Sequence, residues 1–305
     1  MPVLKDYLQL HFIVLIWGFT AILGLLISIP TVELVFFRTL LAALLLGAML
    51  MQKKEQLFIQ KTDLIRMLLT GGLIAAHWIL FFGAARVSTA SICLAGMATG
   101  SLWTSLLEPL MLGRRISLLE MGIGVVVILG LYVIFHFEFT HALGICMAIT
   151  SALLAALFTV INVQFSSRYY AYTITFYEMV GACLVTGIFL PFYQWFLADN
   201  GQLHLTPSLN DWFYIAILAF VCTVYAYSVA VQLMKKFSAF AINLTVNLEP
   251  VYGIVLAFLF FGDSEKMTPG FYLGTLIILS AVLLYPVLKN YLAKRKSYRL
   301  AKPTR

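Results

Sequence analysis

Ser88-Thr89-Ala90 … Gly113-Arg114-Arg115 returns 149 residues later as Phe237-Ser238-Ala239 … Gly262-Asp263-Ser264. Upstream, Phe36-Phe37-Arg38 falls on Phe176-Tyr177-Glu178 at a displacement of 140. The difference of nine sits in the longer connection Ala198–Asp211, where an insertion costs least. The chain therefore reads as one pattern written twice, with five apolar helical stretches in each copy. An odd number of spans per copy forces the second to enter a membrane inverted relative to the first. Secondary transporters are built this way, one half rocking against the other around a site near the midplane.

Composition points to the same solvent. Apolar residues make up 62% of the 305 and charged residues 11%, against about 25% charged in a soluble domain. Lipid must cover most of such a surface. The short N-terminal stretch carries Lys5 and Asp6 before a run of membrane-spanning length, without a small-residue cleavage site, so it reads as an uncleaved first span. Cys93, Cys146, Cys183 and Cys222 all fall inside apolar runs without a CxxC pair, which argues against disulfides and metal sites. No nucleotide-binding loop is present, and no soluble domain could house one, so ATP-driven transport by this chain alone is excluded.

A hydrocarbon core about 30 Å thick takes about 20 apolar residues per helix. Cutting at charges, prolines and polar turns predicts ten spans. In the first copy they are Leu8–Ser28, Val32–Met51, Leu64–Ala85, Ala90–Leu112 and Leu118–Phe135. In the second they are Ala142–Gln164, Tyr172–Trp195, Trp212–Leu233, Ala239–Phe261 and Gly270–Leu288. The expected architecture is an all-α integral membrane protein of two inverted five-helix repeats, residues 1–136 and 137–289, with a basic tail at 290–305. Ten spans place both termini on one side. Lys5, Lys53, Lys54, Lys61, Arg66, Arg114, Arg115, Arg168, Lys235, Lys236 and the tail share that side, while Arg86 and Lys266 lie on the other. The positive-inside rule makes it the cytoplasm. The net charge of +7 then follows from topology and from attraction to anionic headgroups, and a nucleic-acid partner is not expected. Inversion also accounts for the turns: Gly113-Arg114-Arg115 is basic and inside, Gly262-Asp263-Ser264-Glu265 acidic and outside.

Each copy closes with a small-residue helix, a turn after an apolar-Gly pair, and a glycine-bearing helix. These are Leu112-Gly113-Arg114-Arg115 leading to Gly122, Gly124 and Gly130, and Phe261-Gly262-Asp263 leading to Gly270 and Gly274, with Asn247-Leu248-Glu249-Pro250-Val251-Tyr252 upstream of the second turn. Over Leu8 to Leu288 the chain resembles the EamA family of the drug/metabolite transporter superfamily. The resemblance implies export or exchange of small metabolites, such as amino acids or amphipathic compounds, through a cavity between the repeats, with no cofactor. Arg114 stands where the family usually has an acid, and Ser101 where the first copy would match Pro250, so no family role is carried onto either turn.

Charged groups near a bilayer centre cost several kcal/mol and need a reason. Glu249 lies near mid-span, with Pro250 beside it removing a backbone donor and kinking the helix. Thr245, Glu249 and Tyr252 share one helical face, and Asn243 and Asn247 form a second polar ridge. A helix polar on two sides must line the interior. Glu249 reads either as a substrate or proton site or as a structural acid bonded to a neighbouring helix. Glu108 ends the stripe Ser101–Ser105–Glu108 near Arg114, as a gate residue or as an arginine-paired snorkelling acid. Arg38 and Glu178 occupy matching positions at opposite depths, so they are not expected to pair. Arg38 needs a carboxylate or carbonyl elsewhere, and serves either to attract a substrate carboxylate or to pin the repeats together. His77, beside Trp78, reads as a proton group or as a neutral interhelical bond. Trp17, Trp78 and Trp103 are too deep to anchor at the interface, unlike Trp195 and Trp212.

The sequence thus predicts a secondary transporter working by alternating access, multi-pass in the inner membrane, with a small-molecule substrate and the lipid bilayer as partners and the proton as candidate coupling ion. Expected substrate-binding residues are Glu249, Asn247, Asn243, Tyr252, His77, Trp78, Trp17 and Arg38; expected gating residues are Glu108, Arg114 and Pro250. No catalytic or metal-binding residue is expected. The alternatives are a non-transporting membrane component and a membrane-embedded enzyme acting on lipid.

Overall fold

Lipid offers the backbone no hydrogen-bond partners, so a chain in it closes its bonds within helices. The computed structural model describes residues 2–53, 57–137 and 139–300, and every regular element among them is helical. Lys54 and the last tail residues, 301–305, lie outside the described residues. The elements are α1 (Leu4–Leu26), α2 (Thr31–Gln52), α3 (Lys61–Val87), α4 (Ala90–Leu112), α5 (Leu118–Phe137), α6 (Ala142–Ser166), α7 (Ala171–Phe196), α8 (Leu209–Leu233), α9 (running as Ala239–Val246 and Glu249–Phe261) and α10 (Pro269–Leu300). Eight of these, α1–α4 and α6–α9, are long and apolar enough to cross a membrane. Helices α5 and α10 hold shorter apolar stretches, Leu118–Ile134 and Pro269–Tyr285. Beyond the expected end of the last span, α10 continues as helix to Leu300. Leu44, Leu69, Ile188, Leu259 and Leu276 project from the bundle as an exposed apolar belt, the surface of a multi-pass membrane protein.

Three helices are broken mid-course. Helix α9 ends its first half at Val246 and restarts at Glu249. Pro250 has no N–H for the Val246 carbonyl four residues back, which explains the interruption. Helix α4 is interrupted between Met97 and Gly100, 149 residues before the α9 break, with Ser101 in place of the proline. Proline is therefore not what the two breaks share; in α4 the glycines Gly96 and Gly100 flank the interruption. Helix α1 breaks at Phe19. A fourth irregularity is a π-helical stretch in α8, Leu218–Tyr225, where the Thr223 hydroxyl donates back to the Leu218 carbonyl at 2.8 Å. A hydroxyl in the backbone ladder is a recognised cause of such widening, which is frequent at functional sites.

Packing follows a repeated scheme. Helix α2 lies on α7, α3 on α6 and α7, and α5 on α10. The first half of α4 packs on the second half of α9, and the second half of α4 on the first half of α9, so the two broken helices run antiparallel. The side-chain register is reciprocal. A Cβ on Gly47 would meet Phe176, and one on Gly187 would meet Phe36, each pair being the other displaced by 140. A Cβ on Gly130 would stand 2.6 Å from Ile278 Cγ1, and one on Gly274 2.6 Å from Ile134 Cγ1. Only glycine lets the α5 and α10 backbones approach this closely.

Candidate functional site

Where α1, α2, α3, α6, α8 and α9 converge, a cavity leaves about 90 Å³ of room for water centres. One water needs about 10–15 Å³ by that measure, so the space admits several waters or part of a small solute. The helix breaks shape it: Trp17 and Thr20 flank the break in α1, Glu249 starts the second half of α9, and Cys222 belongs to the widened turn of α8.

Arg38 is the largest fully buried side chain. Its Nε donates to Thr223 Oγ1 at 2.9 Å, and its guanidinium carbon stands 3.7 Å from the Trp78 ring centroid and 5.8 Å from that of Phe82. A guanidinium carries five N–H donors, and the other four have no hydrogen-bond partner among the described residues. A carboxylate or carbonyl partner was expected; the fold instead supplies a hydroxyl and two aromatic faces. Aromatic faces attract the cation without satisfying its donors. Arg38 is part of the cavity lining.

His77 is held from α6. Its Nδ1 lies 3.0 Å from the Ser151 carbonyl and 2.7 Å from Ser151 Oγ, which donates to the His77 carbonyl at 2.9 Å. A carbonyl can only accept, so Nδ1 carries the proton. Nε2 has no partner among the described residues and borders the cavity. Glu249 is 6% exposed, with the Thr20 hydroxyl as its polar neighbour; that hydroxyl also donates to the Trp17 carbonyl at 2.7 Å. Arg38 and Glu249 thus line one cavity without forming an ion pair.

The structure brings together six of the eight expected binding residues: Trp17, Arg38, His77, Trp78, Asn243 and Glu249. Trp17 Nε1 donates to the Cys222 carbonyl at 3.1 Å. Asn243 Nδ2 donates to Thr104 Oγ1 at 2.6 Å, and Thr159 donates to its Oδ1 at 3.5 Å, joining α9 to α4 and α6. Asn247 and Tyr252 lie outside the lining. Asn247 Nδ2 turns to Ser101 Oγ at 2.8 Å, and Tyr252 packs against Gly18. Both asparagines turn to α4, Asn243 to Thr104 and Asn247 to Ser101, and only Asn243 also reaches the cavity. Pro250 sits in the first turn of the second half, away from the lining.

Glu108 Oε1 accepts from Arg114 at 2.5 Å and its Oε2 from the Phe240 N–H at 2.8 Å. It therefore caps the start of α9 from the end of α4. At the same end of the bundle lie Lys236–Asp6 at 2.7 Å and Arg168–Asp63 at 3.3 Å. The opposite end is tied differently. Arg86 donates to the carbonyls of Gly24 and Ile27 at 3.1 and 2.9 Å. Asp211 accepts from the Ser28 N–H at 2.6 Å and its hydroxyl at 2.7 Å. Glu33 accepts from the His204 N–H at 3.2 Å.

Sequence reading missed Thr223, Tyr227, Ser151 and Phe158 as parts of this site. Thr223 and Tyr227, four apart on one face of α8, were a signal; Ser151 and Phe158 carried none. No group of three or more metal-ligating side chains occurs among the described residues.

Residues 6–136 and 142–285 each match the profile of the EamA-like transporter family. A solved crystal structure superposes with a TM-score of 0.69 over 93% of this chain and 98% of its own, at 14% identity; that likeness concerns the fold alone. No curated protein matches the sequence.

Proposed function

We propose that this chain, which belongs to the EamA-like transporter family, is a secondary transporter of a small metabolite bearing a carboxylate on an amphipathic body, an amino-acid-like zwitterion being the best fit. The observation that carries this reading is Arg38, a buried cation in the cavity lining whose charge and other four donors have no partner among the described residues. An isolated buried charge costs several kcal/mol, and a substrate carboxylate would offset that cost through paired hydrogen bonds. Glu249, in the same lining, is placed for an ammonium. Trp17, Phe81 and Phe158 suit an apolar body.

Alternating access between two inverted repeats of five spans, 1–136 and 137–289, completes the proposal. The antiparallel crossing of α4 and α9 and the reciprocal glycine contacts support it. So does the placement of broken helices at the site, where interrupted backbone is tolerated because it lines a cavity. The lining continues past Ala230 and Met234 toward the end bearing Lys235 and Lys236. By the positive-inside rule that end is cytoplasmic, and both termini lie there. Arg86, Asp211 and Glu33 then tie the outer side, while Glu108 and Arg114 belong to the inner gate region. An inner-membrane exporter or exchanger is the corresponding role.

The test is thermal stability of the detergent-purified protein against amino acids, nucleotides, sugars and aromatic cations. A specific ligand raises the midpoint by mass action. A carboxylate-bearing hit lost in Arg38→Gln is the expected result; a hit that survives Arg38→Gln, or no hit in any class, overturns it.

A further inference from the structure

Beside the cavity, sealed from it, sits a carboxyl that substrate binding does not use. Glu178 of α7 is completely buried. Its Oε2 accepts from the Tyr227 hydroxyl of α8 at 3.0 Å, and that hydroxyl accepts from Asn162 Nδ2 of α6 at 2.7 Å. Two oxygens of this chain of groups, Glu178 Oε1 and Asn162 Oδ1, are buried without any partner. Tyr227 is also part of the cavity wall. One residue thus touches both the solute space and the sealed acid.

An ionised Glu178 would hold a full charge on one hydrogen bond from a neutral phenol, in a place water does not reach. Groups on the surrounding elements do not compensate it. On α2, Arg38 bonds Thr223, lies on Trp78 and faces the cavity without pairing with Glu178. On α3, the backbone at Gly71 abuts the Glu178 carbonyl, and His77 turns to Ser151. On α6 the contact is the uncharged Asn162, and on α8 it is Tyr227, with Ser228 bonded to Thr175 one turn away. A metal cation would want six or more oxygens, and only two stand unpartnered. A proton needs one.

We propose that Glu178 is a proton-binding site, loaded from the cavity through Tyr227, and that it supplies the coupling ion of the transport reading on which this inference rests. The Tyr227 hydroxyl passes its proton to Oε2 along the existing hydrogen bond, and the phenolate left behind takes a proton from a hydronium in the cavity, which departs as water. Asn162 Nδ2–H supports the phenolic oxygen meanwhile. Turning the Asn162 amide by half a turn then lets its Oδ1, orphaned in the unloaded state, accept from the refilled hydroxyl. Release of the proton recreates an uncompensated charge between α7 and α8, which favours a rearranged bundle that lets water in.

The experiment is pH-difference infrared spectroscopy of the full-length protein in liposomes, scanned between about pH 5 and about pH 9, the range open to a buried carboxyl. The protonated-carboxyl band should titrate in the wild type, vanish in Glu178→Gln and persist in Glu249→Gln. Tyr227→Phe, which removes the hydroxyl with both of its hydrogen bonds and keeps the ring, should shift that band. A band unchanged by Glu178→Gln, or one that responds to sodium at constant pH, overturns the proposal. The readout needs no substrate, so an empty ligand screen would sink the transport reading while leaving this result to stand or fall alone.

Discussion

Arg38 lies on the indole of Trp78, 3.7 Å from the ring centroid, and forms no ion pair among the described residues. The stack fixes the guanidinium plane, and Thr223 fixes its Nε edge. What is left is a flat, oriented fork facing the cavity. Preorganisation of this kind lowers the ordering cost of binding. It also makes the site sensitive to substitutions that keep the charge and lose the shape.

Arg38→Lys should therefore fail to restore binding. An ammonium cannot stack on Trp78 and reach Thr223 while presenting a fork. Loss of a buried charged partner costs about 2–5 kcal/mol in affinity. With whichever ligand stabilises the wild type, both Arg38→Lys and Arg38→Gln should abolish the thermal shift at matched concentration. A shift retained in the lysine variant would show that charge alone is enough.

Thr223 has two jobs, bonding Arg38 and widening α8 through the Leu218 carbonyl. Thr223→Val keeps the shape and leaves the Arg38 Nε–H unpaired, which should destabilise the protein by about 1–3 kcal/mol. Thr223→Ser should recover most of it. Melting of the three proteins in one detergent decides the matter; equal midpoints for valine and serine would remove the hydroxyl from the account.

Glycine substitutions should separate by site. A Cβ on Gly71 would fall 2.1 Å from the Glu178 carbonyl oxygen, which is backbone and cannot turn aside. Gly71→Ala should cost about 1–3 kcal/mol by forcing α3 and α7 apart. On Gly122 a Cβ meets nothing within 4 Å, and Gly122→Ala should gain up to about 1 kcal/mol of helix propensity. Thermal melts that rank these two variants the other way would contradict the α3–α7 contact.

At the basic end, Glu108→Ala should harm the protein more than Arg114→Ala. Arg114 is 54% exposed, and a half-solvated pair is worth up to about 1 kcal/mol. Removing Glu108 also strips the Phe240 N–H of its acceptor, a further loss of about 1–3 kcal/mol. The comparison is again of midpoints, and equal losses would mean that the helix cap contributes nothing.

Sidedness has a direct check. Cysteines placed at Lys236 and Lys266, in a background lacking the native four, should react with an impermeant maleimide from opposite faces of the membrane. The residue at 236 should be protected in intact cells. Labelling of both from outside would overturn the reading of α9 as a span with its basic end in the cytoplasm.

Composition and spacing alone establish that lipid is the solvent, where nearly every helix runs, and that the chain carries one pattern twice. These are properties of composition and period, and they do not depend on which helix meets which. The sequence also singled out Arg38, His77 and Glu249, because a charge in an apolar run is conspicuous whatever surrounds it. Partners were another matter. That Arg38 would rest on Trp78, that Asn247 would turn away to Ser101, and that Tyr227 would join Glu178 to the cavity wall depend on three helix breaks and one widened turn. Only one of those irregularities, at Pro250, was legible as a missing backbone donor. The others arise where glycines or a threonine hydroxyl meet neighbouring helices, and such contacts exist only once the bundle has packed.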